Sequence, residues 1–215
     1  MEQLSISAIV LKRELKNEFD GKISLFSKEF GRLEVLSKGL FKINSKFSGI
    51  LLEGNLIEVD LVFKKNYKIF SAILEKNFLE GNHFFKKIFA LKGIDFFEKL
   101  VILPEKDINL WNLLYGYLNF LSLNKKDLLN YFAFLYFELK VLKILGYLPL
   151  FKIFSSLNNS SKFLLREVYS EKNFKEIIGK NFSFNSKDYC QIQKRIDFYL
   201  KTTVFPQLSF SLNEK

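Results

Sequence analysis

Apolar and polar residues alternate with a period of two over much of the first eighty positions. Residues 5–11 are rich in β-branched and apolar side chains, and residues 22–26 and 32–37 alternate. Residues 49–53 form a further apolar run. Residues 56–63 set Ile57, Val59 and Leu61 against Leu56, Glu58 and Asp60, and residues 67–74 follow a polar tip at Lys64-Lys65-Asn66. Turn signals separate these runs: a charged stretch at 12–20 ending in Gly21, then Ser27-Lys28-Glu29-Phe30-Gly31, Lys38-Gly39 and Gly54-Asn55. Five or six short strands spaced in this way predict a small closed barrel or a sandwich.

The period changes after Glu80. Phe84, Phe85, Ile88, Phe89 and Leu91 open a helical spacing that runs to about Leu103, where Pro104 closes it. Asp107 is placed to cap a second helix carrying Leu110, Trp111, Leu114, Tyr117, Leu118 and Leu121. Asn124 can cap a third, with Leu128, Leu129, Phe132, Leu135, Tyr136, Leu139, Leu142 and Ile144 before Gly146 ends it. That helix is apolar around most of its circumference, which predicts a central position. Residues 157–161 read as a polar loop, and residues 160–178 as a helix or two short pieces. Asn185 or Ser186 can cap a last helix through Tyr189, Ile192, Ile196, Tyr199, Leu200 and Val204. The expected fold class is α+β, with an N-terminal β-domain over 1–80 and an all-α domain over 81–215.

Composition adds a sign to this frame. The chain has 215 residues, 48% of them apolar and 17% aromatic, ample for a packed core. Its formal charge is +10, a balance that favours an anionic partner because bound cations release counterions from a polyanion. The excess of Phe, Lys, Ile and Asn would also follow from an AT-rich coding sequence, so charge alone carries little. Cys190 is the single cysteine, which excludes an intramolecular disulfide and a cysteine-based zinc cluster. The N-terminus lacks a basic region leading into a long apolar run. The most apolar stretch, 128–150, is broken by Glu138, Lys140 and Lys143, whereas a membrane span needs about 20 largely uncharged residues. A reducing cytoplasm is the expected compartment.

Catalytic constellations are not visible. His83 is the only histidine and sits at the start of a helix. No phosphate-binding glycine motif occurs, the carboxylates are scattered, and Cys190 lies in a helical run. No catalytic residue, metal or cofactor is expected. The basic residues are more telling. Lys38, Lys42 and Lys46, with Lys28 and Arg32, fall on turns and strand ends, and Lys64 and Lys65 form a second cluster. Phe41 and Phe47 are interleaved with the first cluster. Phosphates want flexible cations and unpaired bases want exposed aromatic faces, although a core position is the commoner use of such Phe residues. In the helical domain, Lys140, Lys143, Lys194 and Arg195 could flank a groove for an acidic, apolar-ended peptide.

The stretch LFSKEFGRLEVLSKG, the following Ser45 and Gly49, the segment YFAFLYFELKVLKILGYLP and the tail QKRIDFYLKTTVFPQLSFSL resemble, in that order, the DNA repair protein RecO family. The resemblance implies an N-terminal OB-fold barrel and a helical domain. It further implies a non-enzymatic, nucleoid-associated mediator that binds single- and double-stranded DNA, anneals complementary strands and helps load RecA. Its partners would be RecR and the acidic tail of single-strand binding protein, SSB. The chain departs from the family in two places: it lacks the four zinc-finger cysteines of many members, and Phe41 stands where an Arg is common. An adaptor that grips an acidic peptide is the alternative reading, and a nucleic-acid enzyme the third.

Overall fold

The computed structural model describes residues 2–81, 84–102, 105–124, 127–147 and 186–200. His83, Pro104, the stretches 157–161 and 160–178, and the end of the expected last helix from 201 onward lie outside the described residues. The fold is α+β: strands β1 (Glu2–Leu15), β2 (Gly21–Ser27), β3 (Gly31–Ser37), β4 (Asn55–Phe63) and β5 (Tyr67–Asn77) precede helices α1 (Phe84–Leu100), α2 (Ile108–Leu123), α3 (Asp127–Ile144) and α4 (Ser186–Tyr199).

The strands close into a barrel in the order β1-β2-β3-β5-β4. The long β1 does two jobs. Its first part pairs with β4, from Glu2 opposite Phe63 to Ile9 opposite Leu56, and its second part pairs with β2, from Ala8 opposite Ser27 to Leu15 opposite Gly21. The barrel closes through a short parallel contact, Val35 opposite Tyr67 and Leu36 opposite Lys68. Alternate residues point inward. The interior holds Ile6, Ala8, Val10, Ile23, Leu25, Val35, Ile57, Val59 and Leu61. This explains the period-two pattern, and closure removes the exposed edges that an open sheet would leave.

The run 49–53, expected as a strand, is a series of turns. Leu51 donates its N–H to Phe47 O at 2.9 Å, and Asn55 holds the carbonyls of Gly49 and Ile50 through Nδ2 at 3.2 and 2.9 Å. A sixth strand has no edge to join, because β4 already pairs with β1 and β5. Leu51 instead plugs the barrel together with Leu40, both buried.

β2 is buried on both faces, and the reason lies in α1 and α2. Ile23 and Leu25 face the interior, while Phe26 faces outward and meets Phe97 edge-on at 4.9 Å and Trp111 stacked at 6.4 Å. α1 and α2 pack on each other where Gly93 lets Tyr117 approach. A Cβ at Gly93 would sit 2.4 Å from the Tyr117 ring, whose hydroxyl donates to Phe89 O at 2.7 Å. α2 starts as expected, with Asp107 Oδ1 accepting from Asn109 N at 2.7 Å and Leu110 N at 3.1 Å.

The chain divides into two compact units, Met1–Leu123 and Asn124–Lys215. The change from strand to helix falls near 80, where the pattern places it, but the compact division comes after α2. The burial of Phe26 beneath Phe97 and Trp111 supplies the physical reason: α1 and α2 cover the outer face of β2. In the second unit, α3 is buried from Phe132 to Leu139 and at Val141 and Leu142, consistent with its apolar circumference. Its end is a Schellman arrangement at Gly146 (φ 77°), with Gly146 N bonded to Lys143 O and Tyr147 N to Leu142 O. Tyr131 meets Tyr189 at 4.7 Å and Glu138 Oε1 accepts from Gln193 Nε2 at 3.3 Å, so α4 runs alongside α3 in the same direction. No described helix is long and apolar enough to cross a membrane.

Candidate nucleic-acid interface

The connection from β3 to β4, residues 38–54, carries Lys38, Lys42 and Lys46, three of the basic residues singled out above. It is a chain of tight turns: Lys42 N bonds to Gly39 O, Ser45 N to Lys42 O and Ser48 N to Ser45 O. Leu40 and Leu51 point inward and anchor it. Lys38, Lys42 and Lys46 are all exposed. None of the three takes part in an ion pair among the described residues.

This connection is stitched to the β1–β2 loop, 16–20. Phe41 N donates to Phe19 O at 2.9 Å, Gly39 N donates to Asp20 Oδ1 at 2.8 Å, and Lys16 N closes the loop on Asp20 O at 2.8 Å. Asp20 therefore spends its carboxylate on the backbone. The stitched pair of loops presents Lys16, Lys38, Lys42 and Lys46 against Glu18 and Asp20, a local cationic excess. Lys42 Nζ stands 5.9 Å from the centroid of the Phe19 ring. The two interleaved Phe residues part company here. Phe47 is half-buried and packs on the barrel core, whereas Phe41 is 39% exposed.

Lys64 and Lys65 are exposed at the β4–β5 tip. The tip enters the barrel beside the middle of β3, since Tyr67 lies opposite Val35. That leaves it roughly 15 Å along the strand axis from Lys38, at about 3.3 Å per residue. Lys28 is exposed in the β2–β3 turn, at the opposite end of β3 and about 20 Å from Lys38 on the same rise.

Arg32 is the departure from expectation. Its side chain is 13% exposed and faces α1, not solvent. Nη2 bonds Glu98 Oε1 at 2.5 Å, and Nη1 bonds the carbonyls of Glu98 at 2.5 Å and Val101 at 2.9 Å. Glu98 is itself only 12% exposed. The guanidinium thus satisfies carbonyls at the end of α1 and neutralises a half-buried carboxylate. It is a clamp between barrel and helix, committed before any phosphate arrives. The neighbouring Gly31 (φ 67°) belongs to the same contact: a Cβ there would fall 2.2 Å from Glu105 O. Lys22 is likewise occupied, by Glu34 at 2.8 Å.

Acidic residues gather on another wall. Glu58, Asp60 and Glu75 lie on β4 and β5, where Ser7 Oγ donates to Glu75 at 3.3 Å and Ser71 Oγ to Asp60. The Ser71 hydroxyl and then that of Ser5 hold the Asp60 carboxyl below the ordinary range. These carboxylates lie on strands β4 and β5, apart from the exposed lysines of the 16–20 and 38–54 loops.

In the second unit, Lys140 is half-buried with its ammonium 5.6 Å from the Tyr136 ring centroid, Lys143 and Arg195 are half-buried, and Lys194 is exposed. Of these four cations of the expected peptide groove, Lys194 is the exposed one. Cys190 is an exposed thiol. Among the described residues, no group of three or more His, Cys, Asp or Glu side chains could hold a metal ion.

Sequence reasoning passed over Phe19 and Lys16. Phe19 is 47% exposed and sits between charged residues in Lys16-Asn17-Glu18-Phe19-Asp20. A lone aromatic inside a charged loop was the available signal. No family model matches the chain, and no curated protein matches it at significant similarity.

Proposed function

We propose that the barrel is an OB-fold and that the chain is a nucleic-acid-binding protein acting without covalent chemistry, as a RecO-like mediator of DNA repair and recombination. One observation carries the reading. A closed five-stranded barrel of order β1-β2-β3-β5-β4 gathers Lys16, Lys38, Lys42 and Lys46 onto two hydrogen-bonded loops at one end. OB-type Greek-key barrels bind oligonucleotides with this kind of loop and the adjoining strand face. Part of the β2–β3 outer face is covered by α1 and α2 through Phe26 and Arg32, which pushes the free cations onto the loops.

In this reading, backbone phosphates bind the loop lysines through long-range attraction and counterion release, with no sequence preference. Lys64 and Lys65 extend the track beside β3, and Lys28 lies outside it. Such a protein holds single- and double-stranded DNA, anneals complementary strands and helps RecA displace SSB, with RecR and the SSB tail as partners. An electrophoretic mobility shift with single-stranded DNA at about 50 mM salt tests the reading: complex forms there and weakens steeply towards about 200 mM. Absence of complex at the lower salt would refute it.

A further inference from the structure

We propose that Phe19 and Phe41 form a stacking platform for unpaired bases, which makes this end of the barrel selective for single-stranded over duplex nucleic acid. The inference rests on the nucleic-acid reading above and adds to it the group that tells a base from a bare phosphate chain.

The two residues come from different loops and are fixed side by side by the bond from Phe41 N to Phe19 O at 2.9 Å. Both are substantially exposed, and neither ring packs against another ring among the described residues. Their exposure is not forced by a shortage of core. Leu40 and Leu51 already plug the barrel beneath them and Phe47 fills its flank. Ile43, fully exposed on the same connection, continues the apolar surface. Apolar side chains held out of a finished core, on loops braced by backbone bonds, form a surface prepared for an apolar face.

The surrounding charge selects which face. Lys42 stands over the Phe19 ring, and Lys16, Lys38 and Lys46 are exposed on the same two loops, so the occupant carries regularly spaced anions and flat π-systems together. A single strand has both, whereas a duplex hides its base faces inside the stack. Lys42 has a defined part. Its ammonium rests over the Phe19 ring at 5.9 Å, and a base arriving on that ring would free the ammonium for the adjoining phosphate.

The test is fluorescence anisotropy of the full-length chain with a labelled oligothymidine of about 20 nucleotides, an abasic phosphodiester of the same length, and a duplex. The wild-type chain is expected to bind oligothymidine at least about 5-fold more tightly than the abasic strand. F19A/F41A should remove that preference and leave both abasic binding and the salt slope unchanged. F19L/F41L, which keeps the apolar bulk without a π-face, should behave as the alanine variant does and covers the case in which alanine disturbs the loops. If both variants keep the wild-type preference, the platform is refuted. If the wild-type chain binds both strands equally with a steep salt slope, the platform falls while the electrostatic reading stands. Failure to bind any of the three probes at low salt would overturn both.

Discussion

Replacing Arg32 separates a structural clamp from a phosphate contact. The guanidinium makes three hydrogen bonds at the end of α1, to the carbonyls of Glu98 and Val101 and to the Glu98 carboxylate, and both members of the ion pair are largely buried. Removing one partner of a buried pair costs about 3–5 kcal/mol, because the remaining charge loses its counterpart. The residual exposure of 13% and 12% places this pair at the low end, about 3 kcal/mol. R32K keeps the charge but loses the fork that spans Nη1 and Nη2, and should cost about half as much. Trp111, the only tryptophan, stacks against Phe26 at this junction and reports on the first unit alone. Urea unfolding followed by its fluorescence should show R32A with a midpoint about 1–3 M lower, for a slope of about 1–3 kcal/mol/M. DNA affinity of the folded variant, and its salt slope, should be unchanged. The reasoning is refuted if R32A is as stable as the wild-type chain while its salt slope falls by about 0.7, the share of one phosphate contact on a single strand.

Further expectations follow from the packing. Leu51→Ala empties the plug beneath the basic connection and should cost about 2–5 kcal/mol in the same unfolding assay, where a cost under 1 kcal/mol would show that 49–53 is not anchored. Gly93→Ala should destabilise despite alanine's better helix propensity, since its Cβ meets the fully buried Tyr117 ring at 2.4 Å; a raised melting temperature would contradict the packing. Asp107→Ala should cost about 1 kcal/mol by stripping two N–H groups of their cap, read by thermal melting. The Tyr189 phenol is pushed above its ordinary value by burial first, and then by Glu138, Asp197 and Tyr131. A raised folded pKa means that the unfolded chain loses its proton first, so this stabilisation is whole below about pH 10 and is lost as pH rises beyond it. Y189F should flatten that alkaline loss in circular dichroism, and an unchanged alkaline profile would contradict it.

The strands were legible because a closed barrel has one interior, so every second residue along β2, β3 and β4 declares itself apolar. The helices were legible by period and by caps such as Asp107 and Gly146. Residues 49–53 misled because a plug and a strand share the same composition; only the count of available edges distinguishes them. Arg32 misled for a different reason. Its partner Glu98 lies 66 positions away, and no local pattern marks a cation that is already spent. The compact division after Leu123 was hidden in the same way, since a helix that caps a barrel and one that leaves it have similar periodicity. The basic connection was visible as Lys38, Lys42 and Lys46, but its pairing with Phe19 depends on backbone bonds between loops some twenty positions apart.

In the proposed function, the loop lysines of the barrel hold nucleic acid by an electrostatic contact. Its most direct test is the salt dependence of single-strand binding for the wild-type chain and for K38A/K42A/K46A, between about 50 and 200 mM salt. Three phosphate contacts account for about 2 units of the slope of log K against log salt, at about 0.7 per contact on a single strand. The slope should be lower by about 2 in the triple variant, with weaker binding on every sequence. An unchanged slope and affinity would contradict it.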